Sequence, residues 1–213
     1  MGRIYLIRHG QTDSNSGKMF QGQMNTPLNI NGLDQAKQMA EYMKGIHLDA
    51  IYSSSLMRAR MTAAPLAMAK NMAYRPMDLL METNFGDWEG VSFKQLHQEH
   101  PVEMMTFLEK PGDFVPPHGE GFAHAQKRVI QGLEQILAKE GHDKDIAIVA
   151  HGGVIRLLLC YFLDIPLNSL WKMAIRNVSV TTVYDSQGYF MVESVNDDHF
   201  LKQVTSQGYI SIV

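Results

Sequence analysis

The 213-residue sequence has little cysteine, no excess of positive charge and no long apolar run. Its one cysteine, Cys160, excludes an internal disulfide framework and a thiolate-rich zinc site, and suits a reducing compartment. With 19 Lys and Arg against 22 Asp and Glu the formal charge is −3, so a broad face for nucleic-acid phosphates is not expected. A small anionic substrate in a local basic pocket remains allowed. No stretch approaches the roughly 20 apolar residues of a membrane helix. The opening apolar run is broken by Arg8, too early for a signal peptide, and Leu6 stands where a myristoylation pattern wants Ser or Thr. A soluble, cytoplasmic protein without membrane or nucleic-acid partners is expected. Repeats, low-complexity tracts and charge blocks are also missing, and the length fits one α/β domain over 1–213.

What is present is a chain of strand and helix patterns. Arg3 to Ile7 reads as a strand running into Arg8-His9-Gly10. Leu33, Ala36, Ala40 and Met43 recur at helical spacing and stop near Gly45. Asp49 to Ser53 predicts a second strand, with Ser53 to Ser55 as cap candidates for a helix carrying Arg58 and Arg60, which Pro65 kinks or divides. From about 84 to 121 prolines and glycines loosen the pattern around a short helix at Val102 to Leu108, as in a lid-like insertion. Helical period returns through Ala125, Val129, Leu133 and Ile136. Asp145 to Ala150 then predicts a strand running into His151-Gly152-Gly153 and an apolar helix, Val154 to Leu163. Val178 to Tyr184 and Tyr189 to Val195 predict a terminal hairpin, placed either at the sheet edge or across a two-fold axis, which leaves a homodimer open. Strands alternating with helices imply right-handed βαβ units and a mostly parallel sheet covered on both faces, an α/β/α sandwich.

Three predicted strands end in polar turns: Arg8-His9-Gly10, Ser53 through Arg58, and His151-Gly152. Ligands of open parallel sheets bind outside the carboxyl ends of the strands, so these turns can share one crevice. Two histidines and two arginines there describe an anion site, with a phosphoryl group as natural occupant. Neutral imidazole is a nucleophile near pH 7, Gly10 admits close backbone approach to a ligand, and arginines are bidentate forks for phosphoryl oxygens. A leaving alkoxide still needs a proton, and the 22 acidic residues leave its donor open.

Ile7 to Thr12, Asn15, Gln21-Gly22, Pro27-Leu28, Ser54 to Ala59, Glu82 to Gly90, Gly119-Glu120-Gly121 and His151-Gly152-Gly153 together resemble the signature of the histidine phosphatase (phosphoglycerate mutase-like) superfamily. The resemblance spans nearly the whole chain. It implies a phosphohistidine formed on His9, Glu82 as general acid and then base, and Arg8, Arg58 and His151 around the phosphoryl group. Asn15, Gln21, Gly22 and Gly152 would complete the pocket, with neither metal nor cofactor. Phe85 to Gly90 and Gly119 to Phe122 are similar to α-ribazole-5′-phosphate phosphatases, which implies a small phosphorylated metabolite as partner. Gln11 replaces the commoner Glu, and Met19 stands where many relatives have Arg.

Several conspicuous residues have plainer readings. Trp88 and Phe85 are either core anchors or groups that stack on substrate. His97 and His100, three apart, lack a third ligand nearby and read as surface residues. His118 reads as a solvated loop residue. The fifteen methionines suit adaptable core packing.

Overall fold

The computed structural model describes residues 1–202, so the last part of the expected 1–213 unit, residues 203–213, lies outside the described residues. In chain order the elements are β1 (Gly2–Arg8), α1 (Asp13–Ser16), α2 (Ile30–Met43), β2 (Ala50–Ser54), α3 (Met57–Lys70) and β3 (Tyr74–Met77). They continue with α4 (Phe93–Glu99), α5 (Pro101–Glu109), α6 (Phe122–Glu140), β4 (Ile146–Ala150), α7 (Gly152–Phe162), β5 (Val180–Ser186) and β6 (Tyr189–Asp197). The strands form one sheet in the order β3-β2-β4-β1-β5-β6. The first four are parallel, and the β5–β6 hairpin adds antiparallel to β1. β6 is thus a sheet edge.

Alternation along the strands sorts side chains onto two faces. Ile4, Leu6, Ile148 and Ala150 pack under Val129, Leu133 and Ile136 of α6 and Ile155 and Leu158 of α7. Tyr5, Ile7, Ile51, Ala147 and Val149 pack under Met39 and Met43 of α2 and Ala59, Ala63 and Leu66 of α3. Helices on both faces make the three-layer α/β/α sandwich that the alternating pattern predicts. Both faces of β1, β2 and β4 are buried, which is why these strands read as apolar runs rather than as alternating ones. Each fully buried Leu, Ile or Val contributes about 1.5–3 kcal/mol.

Residues 84–121 carry α4 and α5 and are anchored by a third cluster, in which Phe20, Phe85, Trp88, Phe107, Phe114 and Phe122 interlock. Trp88, at 2% exposure, is a core anchor.

Three local expectations need correction, and one strand was not anticipated. α3 runs unbroken from Met57 to Lys70 with Pro65 inside it, so the proline does not divide it. Ser53 to Ser55 do not cap that helix. Ser53 and Ser54 finish β2, Leu56 holds the cap position, and the Met57 amide donates instead to Asn25 Oδ1 at 2.7 Å. The hairpin begins at Val180, two residues late, because Val178 sits at φ 54°, a left-handed conformation incompatible with a strand. β3 went unread because its Pro76 and its half-exposed side chains match an edge strand rather than an apolar run.

Candidate active site

The β1–β4 register pairs Arg8 with Ala150, so the next residues of both strands, His9 and His151, emerge side by side. Their rings lie 5.1 Å apart at 59°, although the two are distant in sequence. The His9 amide donates to Ala150 O at 2.9 Å, which ties the two strand ends together. Arg58 enters from the first turn of α3, on the neighbouring strand's exit.

His9 Nδ1 lies 2.7 Å from Gly10 O. A carbonyl only accepts, so Nδ1 carries the hydrogen and Nε2 keeps the lone pair. Burial, then the charges of Arg58 and Arg8, push the His9 pKa well below its ordinary 6.5, so the ring is neutral at pH 7. His151 is lowered in the same way, by burial first and Arg58 next, and neither of its ring nitrogens has a hydrogen-bond partner among the described residues.

Arg58 is 1% exposed and donates to Gly22 O at 2.6 Å and Met24 O at 2.7 Å, so it holds the 21–25 loop against the pocket. Arg8 donates to Ile175 O at 2.6 Å. Burial lowers both guanidinium pKa values to about 10, with Glu82 opposing, and both stay charged at neutral pH. Asn15 Oδ1 accepts from the Thr12 amide and hydroxyl and from Asn177 Nδ2, which turns the Asn15 amide NH₂ away from these donors. Gln21 Nε2 donates to Thr12 Oγ1 at 2.6 Å, extending the same network.

Glu82 reaches the site from outside regular structure. Its Oε2 accepts from the Gly153 amide at 3.0 Å, in the first turn of α7, and its Oε1 from the Thr83 amide at 2.9 Å. The helix N-terminus favours negative charge here. One pocket is lined by Arg8, His9, Asn15, Gln21, Gly22, Arg58, Glu82 and Gly152, eight of the nine residues expected there, and the ninth, His151, lies beside His9 with its ring 5.1 Å away.

A sequence model of the histidine phosphatase superfamily (branch 1) matches residues 4–198. The chain belongs to this superfamily. It is 29% identical over 184 residues to phosphoserine phosphatase 1 of Hydrogenobacter thermophilus, covering 86% of this chain and 87% of the relative. It is 30% identical over 173 residues to the adenosylcobalamin/alpha-ribazole phosphatase of Escherichia coli K12, covering 81% and 85%. A mycobacterial glucosyl-3-phosphoglycerate phosphatase structure with VO3 superposes at TM-score 0.86 and 30% identity, over 92% of this chain and 99% of that one.

Within this histidine phosphatase, other residues settle differently from their sequence reading. Gly10 has a packing reason of its own: a Cβ there would stand 2.6 Å from Gly32 O of α2. Gln11 is a structural anchor whose Oε1 accepts from Asn29 and Asn31, and Met19 pairs with Ser92. His97 and His100 are exposed, and His118 is an exposed partner of Asp87 at 2.9 Å. Among the described residues no group of three or more His, Cys, Asp or Glu stands ready to hold a metal ion, and no helix is long and apolar enough to cross a membrane.

Sequence reasoning missed Arg156, Trp171 and Asn177. Arg156 lines the pocket at 4% exposure, with Nε donating to Met173 O at 2.8 Å and its guanidinium 5.4 Å from the Trp171 ring. Its signal was available: it is the one charged residue in the apolar sequence of α7. Asn177, which donates to His9 O at 2.9 Å, had no comparable signal, because only the strained turn at Val178 brings it there.

Two expectations follow for this phosphatase. A Cβ at Gly153 would stand 2.4 Å from Glu82 Oε1, so Gly153→Ala is expected to displace the carboxylate and lower kcat/KM about 10²-fold while the thermal midpoint changes little. Activity within about threefold of wild type would contradict this placement of Glu82. The second concerns pH. His9 and His151 have depressed folded pKa values, so the unfolded chain takes up their protons first as pH falls below about 6.5. Their stabilising contribution is complete above that pH and declines below it, by up to about 1.4 kcal/mol per pH unit per histidine. Thermal melts should show Tm falling from pH 7 to pH 5, with a shallower fall in His151→Gln. Equal slopes in both proteins would refute this.

Proposed function

We propose that the chain hydrolyses small phosphate monoesters through a phosphohistidine on His9. The observation that carries this reading is the His9 geometry: a neutral ring, its Nδ1 hydrogen committed to Gly10 O, lining a pocket with two buried arginines and a carboxylate. Nε2 attacks phosphorus, and the P–N bond forms as the ester P–O bond breaks. Glu82 in its acid form hands its proton to the departing alkoxide. Water then attacks phosphorus, its proton passes to the Glu82 carboxylate, and the P–N electron pair returns to Nε2. Arg8 and Arg58 hold the phosphoryl oxygens and supply the positive charge, so the step is proposed to need no metal. His151 and the Asn15 amide add donors, and the start of α7 at Gly152 adds its dipole.

α-Ribazole 5′-phosphate is the substrate proposed first, supported by the Phe85 to Gly90 likeness and by the name of the Escherichia coli relative. Arg156 favours a second reading. A third buried cation in the pocket wall suits an ester with another acidic group, in line with the names of the phosphoserine and glucosyl-3-phosphoglycerate relatives. Turnover of p-nitrophenyl phosphate in EDTA, with an alkaline denaturing quench to trap the acid-labile phosphohistidine, tests the chemistry. Inactivity across pH 5–8 would sink the enzyme reading, and loss of activity on adding EDTA would sink the metal-free step. Comparing kcat/KM on α-ribazole phosphate, phosphoserine and 3-phosphoglycerate separates the substrates. A preference of about tenfold, near 1.4 kcal/mol, for either acidic ester would displace α-ribazole phosphate.

A further inference from the structure

Gly119-Glu120-Gly121 is a motif that the proposed chemistry does not use, and it lies beside the segment that carries Glu82. That segment, from Leu79 to Asn84, leaves the sheet edge and passes the pocket largely outside helix or strand, so its main-chain groups need other partners. One side chain serves three of its carbonyls. Arg128 of α6 donates through Nη1 to Leu79 O at 2.9 Å and Met81 O at 2.8 Å, and through Nη2 to Glu82 O at 3.4 Å.

Glu120 orients that guanidinium. Its Oε2 accepts from Arg128 Nε at 3.3 Å and its Oε1 pairs with Nη2. The same Oε1 accepts from the Asn84 amide at 3.1 Å, and the Glu120 amide donates to Asn84 O at 2.8 Å. Both side chains are largely buried, at 15% exposure for Arg128 and 13% for Glu120, so this pair is weakly screened and geometrically fixed. From the pocket side Gln23 Nε2 holds Glu82 O at 3.0 Å. Arg128 is not among the residues that line the pocket.

We propose that Arg128, held by Glu120, is a positioning residue for the acid–base step: it fixes the main chain from Leu79 to Asn84 so that the Glu82 carboxyl stays at the leaving oxygen. A displacement of about 1 Å in a catalytic group lowers rates by as much as 10²-fold, and three carbonyls bound by one guanidinium restrict such displacement. A lysine cannot reproduce the fork, because its single ammonium is a point donor. The inference rests on Glu82 being the acid.

Leaving-group dependence tests it. p-Nitrophenolate departs without protonation, whereas an alkoxide needs the acid, and kcat/KM reports the steps through ester cleavage. The probes are p-nitrophenyl phosphate and whichever of phosphoserine or glycerol 3-phosphate turns over faster. Glu82→Gln is expected to lose about 10²-fold or more on the alkyl ester and under about tenfold on the aryl ester. Arg128→Lys and Glu120→Gln are expected to repeat that bias at smaller size, about tenfold against less than threefold. Both are conservative, so their folding, checked by thermal melts, keeps the test usable if Arg128→Ala does not fold. If Glu82→Gln loses equally on both esters, the reading of Glu82 fails and takes this proposal with it. If Glu82→Gln shows the bias while Arg128→Lys and Glu120→Gln lose equally on both esters or lose nothing, the positioning role alone is overturned.

Discussion

Replacing His9 by alanine is expected to lower kcat/KM for p-nitrophenyl phosphate by roughly 10⁴-fold or more and to abolish the phosphoenzyme trapped by an alkaline quench. The size follows from the site's division of labour. Both buried histidines are neutral, but only His9 lines the pocket, and only its tautomer is fixed, by Gly10 O at 2.7 Å. His151, 5.1 Å away, has no such partner among the described residues to set which nitrogen is free. His151→Ala is therefore expected to slow the reaction yet still form phosphohistidine. Labelled phosphate trapped in His9→Ala but not in His151→Ala would reverse the assignment. Binding of vanadate to His9→Ala should persist, because Arg8 and Arg58 remain.

Arg58→Ala is the second large effect, expected to cost about 10³-fold in kcat/KM. Two losses combine. The pocket loses a buried cation whose charge survives burial, with a pKa of about 10. The buried Gly22 carbonyl also loses its donor, at about 1–3 kcal/mol if left unpaired, while Met24 O keeps the Thr26 amide at 3.0 Å. The loop 21–25 then has less to hold it, and Gln21 and Gly22 of the pocket wall move with it. Arg58→Lys is expected to recover about tenfold at most, since a single ammonium nitrogen cannot reproduce the spread of Nη1 and Nη2 that reaches two carbonyls while facing a phosphoryl oxygen. Steady-state kinetics with vanadate inhibition provide the check, and a loss below about tenfold for Arg58→Ala would show that the charge lies off the reaction path.

The fold was largely legible because its elements are locally coded. Short apolar runs, Ile4 to Ile7, Ala50 to Tyr52 and Ile146 to Ala150, give β1, β2 and β4, and the 3.6-residue period of Ala125, Val129, Leu133 and Ile136 gives α6. Illegible elements were those shaped by partners elsewhere. β3 is a strand because β2 offers it a free edge, and α3 starts where Asn25, in a remote loop, supplies a cap. Likewise Val178 holds a left-handed turn because its amide is taken by Arg8 O at 3.0 Å.

The site divides along the same line. By itself the sequence determined which chemical groups stand at strand ends: an imidazole after β1, another after β4, and an arginine in the first turn of α3, because strand ends and helix starts are local events. Tertiary structure alone decided what those groups are. Burial and the neighbouring arginines keep His9 neutral, Gly10 O sets its tautomer, and the Gly153 amide holds the Glu82 carboxylate at the pocket. Protonation state and reach depend on dielectric and distance, and these exist only once residues far apart in the chain have packed together.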